Sequence, residues 1–132
     1  MRKESVLLVE DDLDDIEIFQ EALTECKLDI DLTIARNGKE ALQKMDVNPP
    51  YKAIFLDLNM PVMNGYQFLE ELHKSGRITG NTIIILTTSS SEVDKKITKE
   101  LGAVDFITKG NSYVHYCEVI KKAITSTIYS FE

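Results

Sequence analysis

Three stretches of this chain are apolar without a break: Val6-Leu7-Leu8-Val9, Ala53-Ile54-Phe55-Leu56 and Ile83-Ile84-Ile85-Leu86. Side chains alternate between the two faces of a strand, so an unbroken apolar strand must be covered on both, as central strands of a parallel sheet are. Two more mixed runs, Leu32-Thr33-Ile34-Ala35 and Val104-Asp105-Phe106-Ile107, suit strands nearer the sheet edges. Helix-period apolar stripes lie between and after them: Leu13, Ile16, Phe19 and Leu23; Ala41, Leu42 and Met45; Phe68, Leu69 and Leu72; Val93, Ile97 and Leu101; Tyr113, Tyr116, Cys117, Ile120 and Ile124. Asn37 with Glu40, Asn64 with Gln67 and Ser91 with Asp94 have the spacing of N-terminal capping boxes, and Gly102 suits a left-handed C-cap. Strict strand-helix alternation with short links predicts an α/β fold, a doubly wound five-stranded parallel sheet with five helices on its two faces.

A length of 132 residues and 43% hydrophobic content suit one domain over 1–132, with no linker, repeat or output domain expected. A formal charge of −7 repels phosphates and anionic lipid, so direct nucleic acid or membrane binding is not expected. Cys26 and Cys117 match no metal-binding spacing and are too few for a disulfide framework, and no signal-peptide or membrane-length apolar run occurs, which predicts a cytoplasmic protein.

In an open α/β sheet, ligands bind beyond the carboxyl ends of the strands. Glu10-Asp11-Asp12 falls at the end of the first strand, Asp57 at the end of the third, Thr87 of the fourth and Lys109 of the fifth. Carboxylates crowded in one place raise one another's pKa unless a cation sits among them, and Mg²⁺ suits one or two protein carboxylates plus a phosphate oxygen. We assign Asp11 and Asp57 as direct ligands, the Asn59 carbonyl as a third, and Glu10 as a partner acting through water. Asp57 is then the nucleophile for an acyl phosphate, with the metal and Lys109 neutralising the transferring group and Thr87 donating its hydroxyl. Taken singly, each of these residues has a plain structural role; their meeting at four strand ends is what points to chemistry.

The runs Val9-Glu10-Asp11-Asp12, Leu56-Asp57-Leu58-Asn59-Met60-Pro61-Val62-Met63-Asn64-Gly65, Leu86-Thr87-Thr88-Ser89 and Phe106-Ile107-Thr108-Lys109 resemble the signatures of CheY-like response-regulator receiver domains over essentially the whole chain. The resemblance implies the flavodoxin-like strand order 2-1-3-4-5 and Mg²⁺ or Mn²⁺ as the cation. It also implies phosphotransfer to Asp57 from a sensor histidine kinase or a histidine phosphotransfer protein. It makes Glu10 and Asp11 the acidic pair, Thr87 the switch hydroxyl, Lys109 the phosphate-binding lysine and Phe106 the aromatic switch, and it places Asn59 and Ser89 beside the water that hydrolyses the acyl phosphate. Asp12, Asp14 and Asp15 read as surface acids.

Lys109-Gly110-Asn111 stands where most receivers have Lys-Pro, and with the Leu-Thr-Thr-Ser run it resembles the phytochrome-associated regulators. A cis bond costs about 0.5–1 kcal/mol before proline but about 2.5–4 before glycine. A trans Lys109-Gly110 bond is therefore expected, with Gly110 in a conformation that a Cβ would resist, Lys109 aimed at Asp57, and Asn111 or Ser112 capping the last helix. Readout is expected on the surface of the fourth helix, fifth strand and fifth helix, toward an unidentified target or a homodimer; Tyr129 and Phe131 are expected to pack against the domain's own core, with dimer contacts as the alternative. The expected role is a phosphoacceptor switch and not an enzyme. The alternatives are a degenerate scaffold receiver and a metal-dependent aspartyl-phosphate phosphatase; the latter's D-x-D signature belongs on the first strand, and here Asn59 stands where its second Asp would be.

Overall fold

The computed structural model describes residues 4–27, 29–47, 50–60, 63–110 and 112–128. Strands and helices alternate along the chain: β1 (Glu4–Val9), α1 (Leu13–Cys26), β2 (Ile30–Ala35), α2 (Gly38–Val47), β3 (Ala53–Leu56), α3 (Gly65–Lys74), β4 (Ile83–Thr87), α4 (Glu92–Glu100), β5 (Asp105–Thr108) and α5 (Tyr113–Ile128). The strands form one parallel sheet in the order β2-β1-β3-β4-β5, with Val9 opposite Leu56 and Leu56 opposite Ile85 across its centre. Every one of the predicted strands is present, and the order is the one that the resemblance implied.

The alternation explains the unbroken apolar runs. Val6, Leu8, Phe55, Ile84 and Leu86 face α1 and α5, where Phe19 packs edge-on against Phe55 with ring centroids 5.1 Å apart. Leu7, Val9, Ile54, Leu56, Ile83 and Ile85 face the other way, toward Ala41 of α2 and Phe68, Leu69 and Leu72 of α3. Truncating a central leucine, isoleucine or phenylalanine among them to alanine would cost about 2–5 kcal/mol.

Some stripe positions depart from expectation. Leu13, Val93 and Tyr113 are 66%, 64% and 48% exposed, because each lies in the first turn of its helix, beyond the edge of the sheet it would cover. On α4 the buried residue is instead Thr98, whose hydroxyl donates to the carbonyls of Asp94 (2.9 Å) and Lys95 (3.2 Å) and so enters the interior already satisfied. The α3 capping box is complete, with Gln67 N to Asn64 Oδ1 at 3.0 Å and Asn64 N to Gln67 Oε1 at 2.9 Å. At α4 only half of the box forms: Ser91 Oγ accepts from Asp94 N, but the Asp94 carboxylate accepts from Ser89 and Tyr66 instead of from Ser91 N. Gly102, at φ 113°, ends α4 as expected, its N–H donating to Lys99 O while Ala103 N donates to Thr98 O.

Candidate functional site

The site is assembled by backbone bonds that continue the sheet just past its strands. Glu10 N donates to Ala35 O (2.9 Å), Asp57 N to Val9 O (3.0 Å) and Lys109 N to Thr87 O (2.6 Å), so residues from β1, β3, β4 and β5 are fixed at one edge. Glu10, Asp57, Thr87 and Lys109 are all buried, and Asp11 is half-buried. Carboxylate oxygens of Glu10, Asp11 and Asp57 lie within 4.8 Å of one another, the one group among the described residues with such a potential ligand set. All-oxygen donors at this spacing suit a hard divalent cation. Asn59 is exposed and its N–H donates to Asp57 Oδ1 at 3.3 Å, which holds that turn against the acid.

Lys109 Nζ lies 2.6 Å from Glu10 Oε1, 2.7 Å from Asp15 Oδ2 and 3.8 Å from Asp57 Oδ2. The lysine therefore enters the acidic pocket as expected, but its close partners are Glu10 and Asp15. Asp15 is thus no free surface acid, whereas Asp12 and Asp14 are exposed as expected, and Asp12 Oδ1 also caps α1 by accepting from Asp14 N (2.9 Å) and Asp15 N (3.1 Å). The signal for Asp15 was present in the sequence: it lies one turn before Phe19 and beside Ile16, on the face of α1 that packs inward.

Burial, then the charge of Asp57, push the Glu10 carboxyl up to about 8, against the opposing pull of Lys109. Burial also raises Asp57, with Lys109 opposing. For Lys109 burial works downward, but Glu10 and Asp57 outweigh it and the ammonium is held above its ordinary range. Tyr116, on α5, puts its ring centroid 5.8 Å from Lys109 Nζ. Its buried hydroxyl has no partner, and burial followed by the charges of Asp15, Glu10 and Asp57 strongly raises its pKa.

Thr87 Oγ1 accepts from Ser89 N at 3.3 Å. The Ser89 hydroxyl is committed to α4, donating to Asp94 Oδ2 at 2.6 Å, and Tyr66 of α3 donates to the other oxygen of Asp94. Phe106 is half-buried against the core on the α3 side of the sheet, with Lys95 Nζ 5.9 Å from its ring centroid. The Lys109-Gly110 bond is trans, since no cis peptide occurs among the described residues. Gly110 does not have a positive φ, contrary to expectation. A Cβ there would instead collide with the His115 side chain, so the glycine is required for space and not for backbone conformation. Ser112 caps α5, its Oγ accepting from His115 N at 3.1 Å. Asn111, Tyr129 and Phe131 lie outside the described residues.

Fold and pocket together define a doubly wound α/β domain with a lysine-threaded acidic pocket at its strand ends. The chain belongs to the response regulator receiver domain family, whose model matches residues 6–121, and it is homologous to the response regulators of two-component systems. It is 36% identical over 104 residues to the transcriptional regulatory protein CpxR homolog of Haemophilus influenzae, covering 79% of this chain and 43% of that protein. It is 31% identical over 113 residues to response regulator Rcp1 of Synechocystis sp., covering 81% of this chain and 77% of that protein. The crystal structure of the Mn(2+)-bound form of Rcp1 superposes with a TM-score of 0.83 at 30% identity, covering 93% of this chain and 92% of that one. That of the phosphorylated cyanobacterial phytochrome response regulator RcpA superposes at 0.88 with 25% identity, covering 98% and 96%. The chain spans less than half the length of the CpxR homolog and of several other curated relatives. Among the described residues no helix is long and apolar enough to cross a membrane.

Proposed function

We propose that this chain is a phosphoacceptor switch that takes a phosphoryl group onto Asp57 from a sensor histidine kinase or a histidine phosphotransfer protein, and that it does not act as an enzyme on a separate substrate. The observation that carries this reading is the meeting of Glu10, Asp11 and Asp57 within 4.8 Å, with the Lys109 ammonium 3.8 Å from the Asp57 carboxylate. Asp57 supplies the nucleophile: its carboxylate oxygen bonds to phosphorus as the donor's P–N bond breaks, and the bonding pair leaves with the donor imidazole. Lys109 offers an ammonium to the transferring oxygens and Thr87 a hydroxyl. Glu10, Asp11, Asp57 and the Asn59 carbonyl would hold Mg²⁺ or Mn²⁺, which supplies charge neutralisation for the phosphoryl oxygens. The Mn(2+)-bound form of Rcp1 supports that choice of cation. An intact donor set, with Glu10 and Asp57 buried, disfavours a degenerate scaffold.

The readout surface of α4, β5 and α5 carries exposed Val93, Ile97, Val104 and Val114 and the half-buried Phe106, chemistry suited to a protein target or a second copy of the chain. Incubation with acetyl phosphate and a divalent cation should add one phosphoryl group by mass, and Asp57→Asn should abolish it. Equal labelling of that variant would remove Asp57 as the acceptor.

A further inference from the structure

An ammonium has three N–H donors. In Lys109 two of them are taken by Glu10 at 2.6 Å and Asp15 at 2.7 Å, while Asp57 stands further off at 3.8 Å. The third N–H gives the ammonium its reach toward Asp57, and drawing the nitrogen outward to an oxygen of a phosphoryl group carried there would lengthen one of its two short bonds. Burial decides which one. The Glu10 side chain is 1% exposed and its oxygen would be left buried without a partner, whereas the Asp15 side chain is 25% exposed and can turn to water. Asp15 is held at this spot by the first turn of α1, which Asp12 caps through Asp14 N and Asp15 N. The Tyr116 ring lines another side of the seat, 5.8 Å from the same nitrogen.

We propose that Asp15 is a positioning residue: it keeps the Lys109 ammonium in a resting seat beside Glu10 and releases it when Asp57 carries a phosphoryl group. The inference rests on the reading of Asp57 as the acceptor. Asp15 has two opposed effects on ligands. By partly neutralising Lys109 it favours the cation among Glu10, Asp11 and Asp57, and by competing for the ammonium it disfavours the phosphoryl group.

The test compares the wild type with Asp15→Asn, Asp15→Glu and, as a control, Asp14→Asn. Asp14 shares the same helical turn and contributes a similar charge, but among the described residues it makes no ion pair with Lys109. In metal-free protein, the ¹⁵N-detected ammonium signal of Lys109, assigned by its loss in Lys109→Arg, should shift and exchange with water several-fold faster in Asp15→Asn. It should stay near wild type in Asp14→Asn and recover in Asp15→Glu. By calorimetry, beryllofluoride with saturating Mg²⁺ should bind Asp15→Asn about fivefold more tightly, and Mg²⁺ alone about threefold more weakly. A merely structural role would weaken both ligands together. An unchanged Lys109 signal in Asp15→Asn overturns the proposal, as do wild-type affinities for both ligands, or equal changes in Asp14→Asn. If the wild type itself ignores beryllofluoride, the acceptor reading fails instead, and the metal-free signal still decides whether Asp15 seats the lysine.

Discussion

Replacing Glu10 by glutamine should flatten the pH dependence of folding stability in the metal-free protein. Glu10 is 1% exposed, and burial, then the charge of Asp57, raise its carboxyl from 4.5 to about 8 despite the adjacent Lys109. In the unfolded chain the same group ionises near its ordinary value. Between those two values the folded protein therefore holds a proton that the unfolded chain has released, so stability falls as pH rises. The contribution is whole below the unfolded value and gone above the folded one. One proton corresponds to about 1.36 kcal/mol per pH unit. The window from 4.5 to about 8 then spans on the order of 5 kcal/mol at most. Asp57, raised in the same direction, adds to the fall. Lys109 does not contribute, because it is raised from an ordinary value of 10.5 and stays charged in both states across the window. Glutamine retains an oxygen to accept from Lys109 but has no proton to lose. Urea unfolding followed by circular dichroism in a chelator, at several values between about pH 5 and 8, should give a wild-type loss approaching 1 kcal/mol per unit and less than about a third of that in the variant. Parallel slopes for the two proteins would refute the argument.

The acidic trio makes a linked prediction for the cation: Mg²⁺ at a hundred times its dissociation constant should stabilise the wild type by about 2.7 kcal/mol and Asp11→Asn much less, and equal shifts in a thermal scan would remove Asp11 from the cation site. For the readout surface, beryllofluoride should raise the sedimentation coefficient if the partner is a second copy of the chain; an unchanged monomer with and without the mimic would leave only a heterologous target.

What the sequence made legible follows the range of the interactions involved. The central strands were readable because burial on both faces leaves no room for a polar residue, and Val6-Leu7-Leu8-Val9 divides as alternation requires, two side chains to each core. The caps at Asn37 and Asn64 were readable because their partners lie three residues away. The helical stripes were less so at Leu13, Val93 and Tyr113, since periodicity gives a helix's inward face but not where the sheet beneath it stops. Within the site, the residues that come together at strand ends were legible from topology alone. Asp15 was legible only in part: its spacing from Phe19 sets it on the inward face of α1, but its partner Lys109 lies 94 residues away. Gly110 shows the same limit: its nearest obstacle is a ring on the next helix, while a reading confined to backbone preference expected an unusual φ.

The same contrast bears on how the pocket reaches the surface. α4 is the helix with the least apolar anchorage in sequence, and its one buried side chain is a threonine satisfied within its own turn. Its N-terminus is instead tied to the site by polar contacts: Ser89 N donates to Thr87 Oγ1, Ser89 Oγ to Asp94, and Tyr66 to the same carboxylate, while Thr108 Oγ1 donates to Ser89 O at 3.0 Å. Apolar packing resists displacement through the area that it hides, whereas hydrogen bonds at a half-exposed loop can be exchanged for water at a net cost of only about 0.5–1.5 kcal/mol each. A helix held in this way would shift at lower cost than one held by apolar packing. A Thr87 hydroxyl turned toward a phosphoryl oxygen on Asp57 would no longer face Ser89 N, and the loop carrying Ser89 would lose that tie to the pocket while keeping those to Thr108 and Asp94. Phe106, half-buried one residue before Ile107 on the neighbouring strand and beneath Lys95 of α4, would then lie beside a helix free to shift over it.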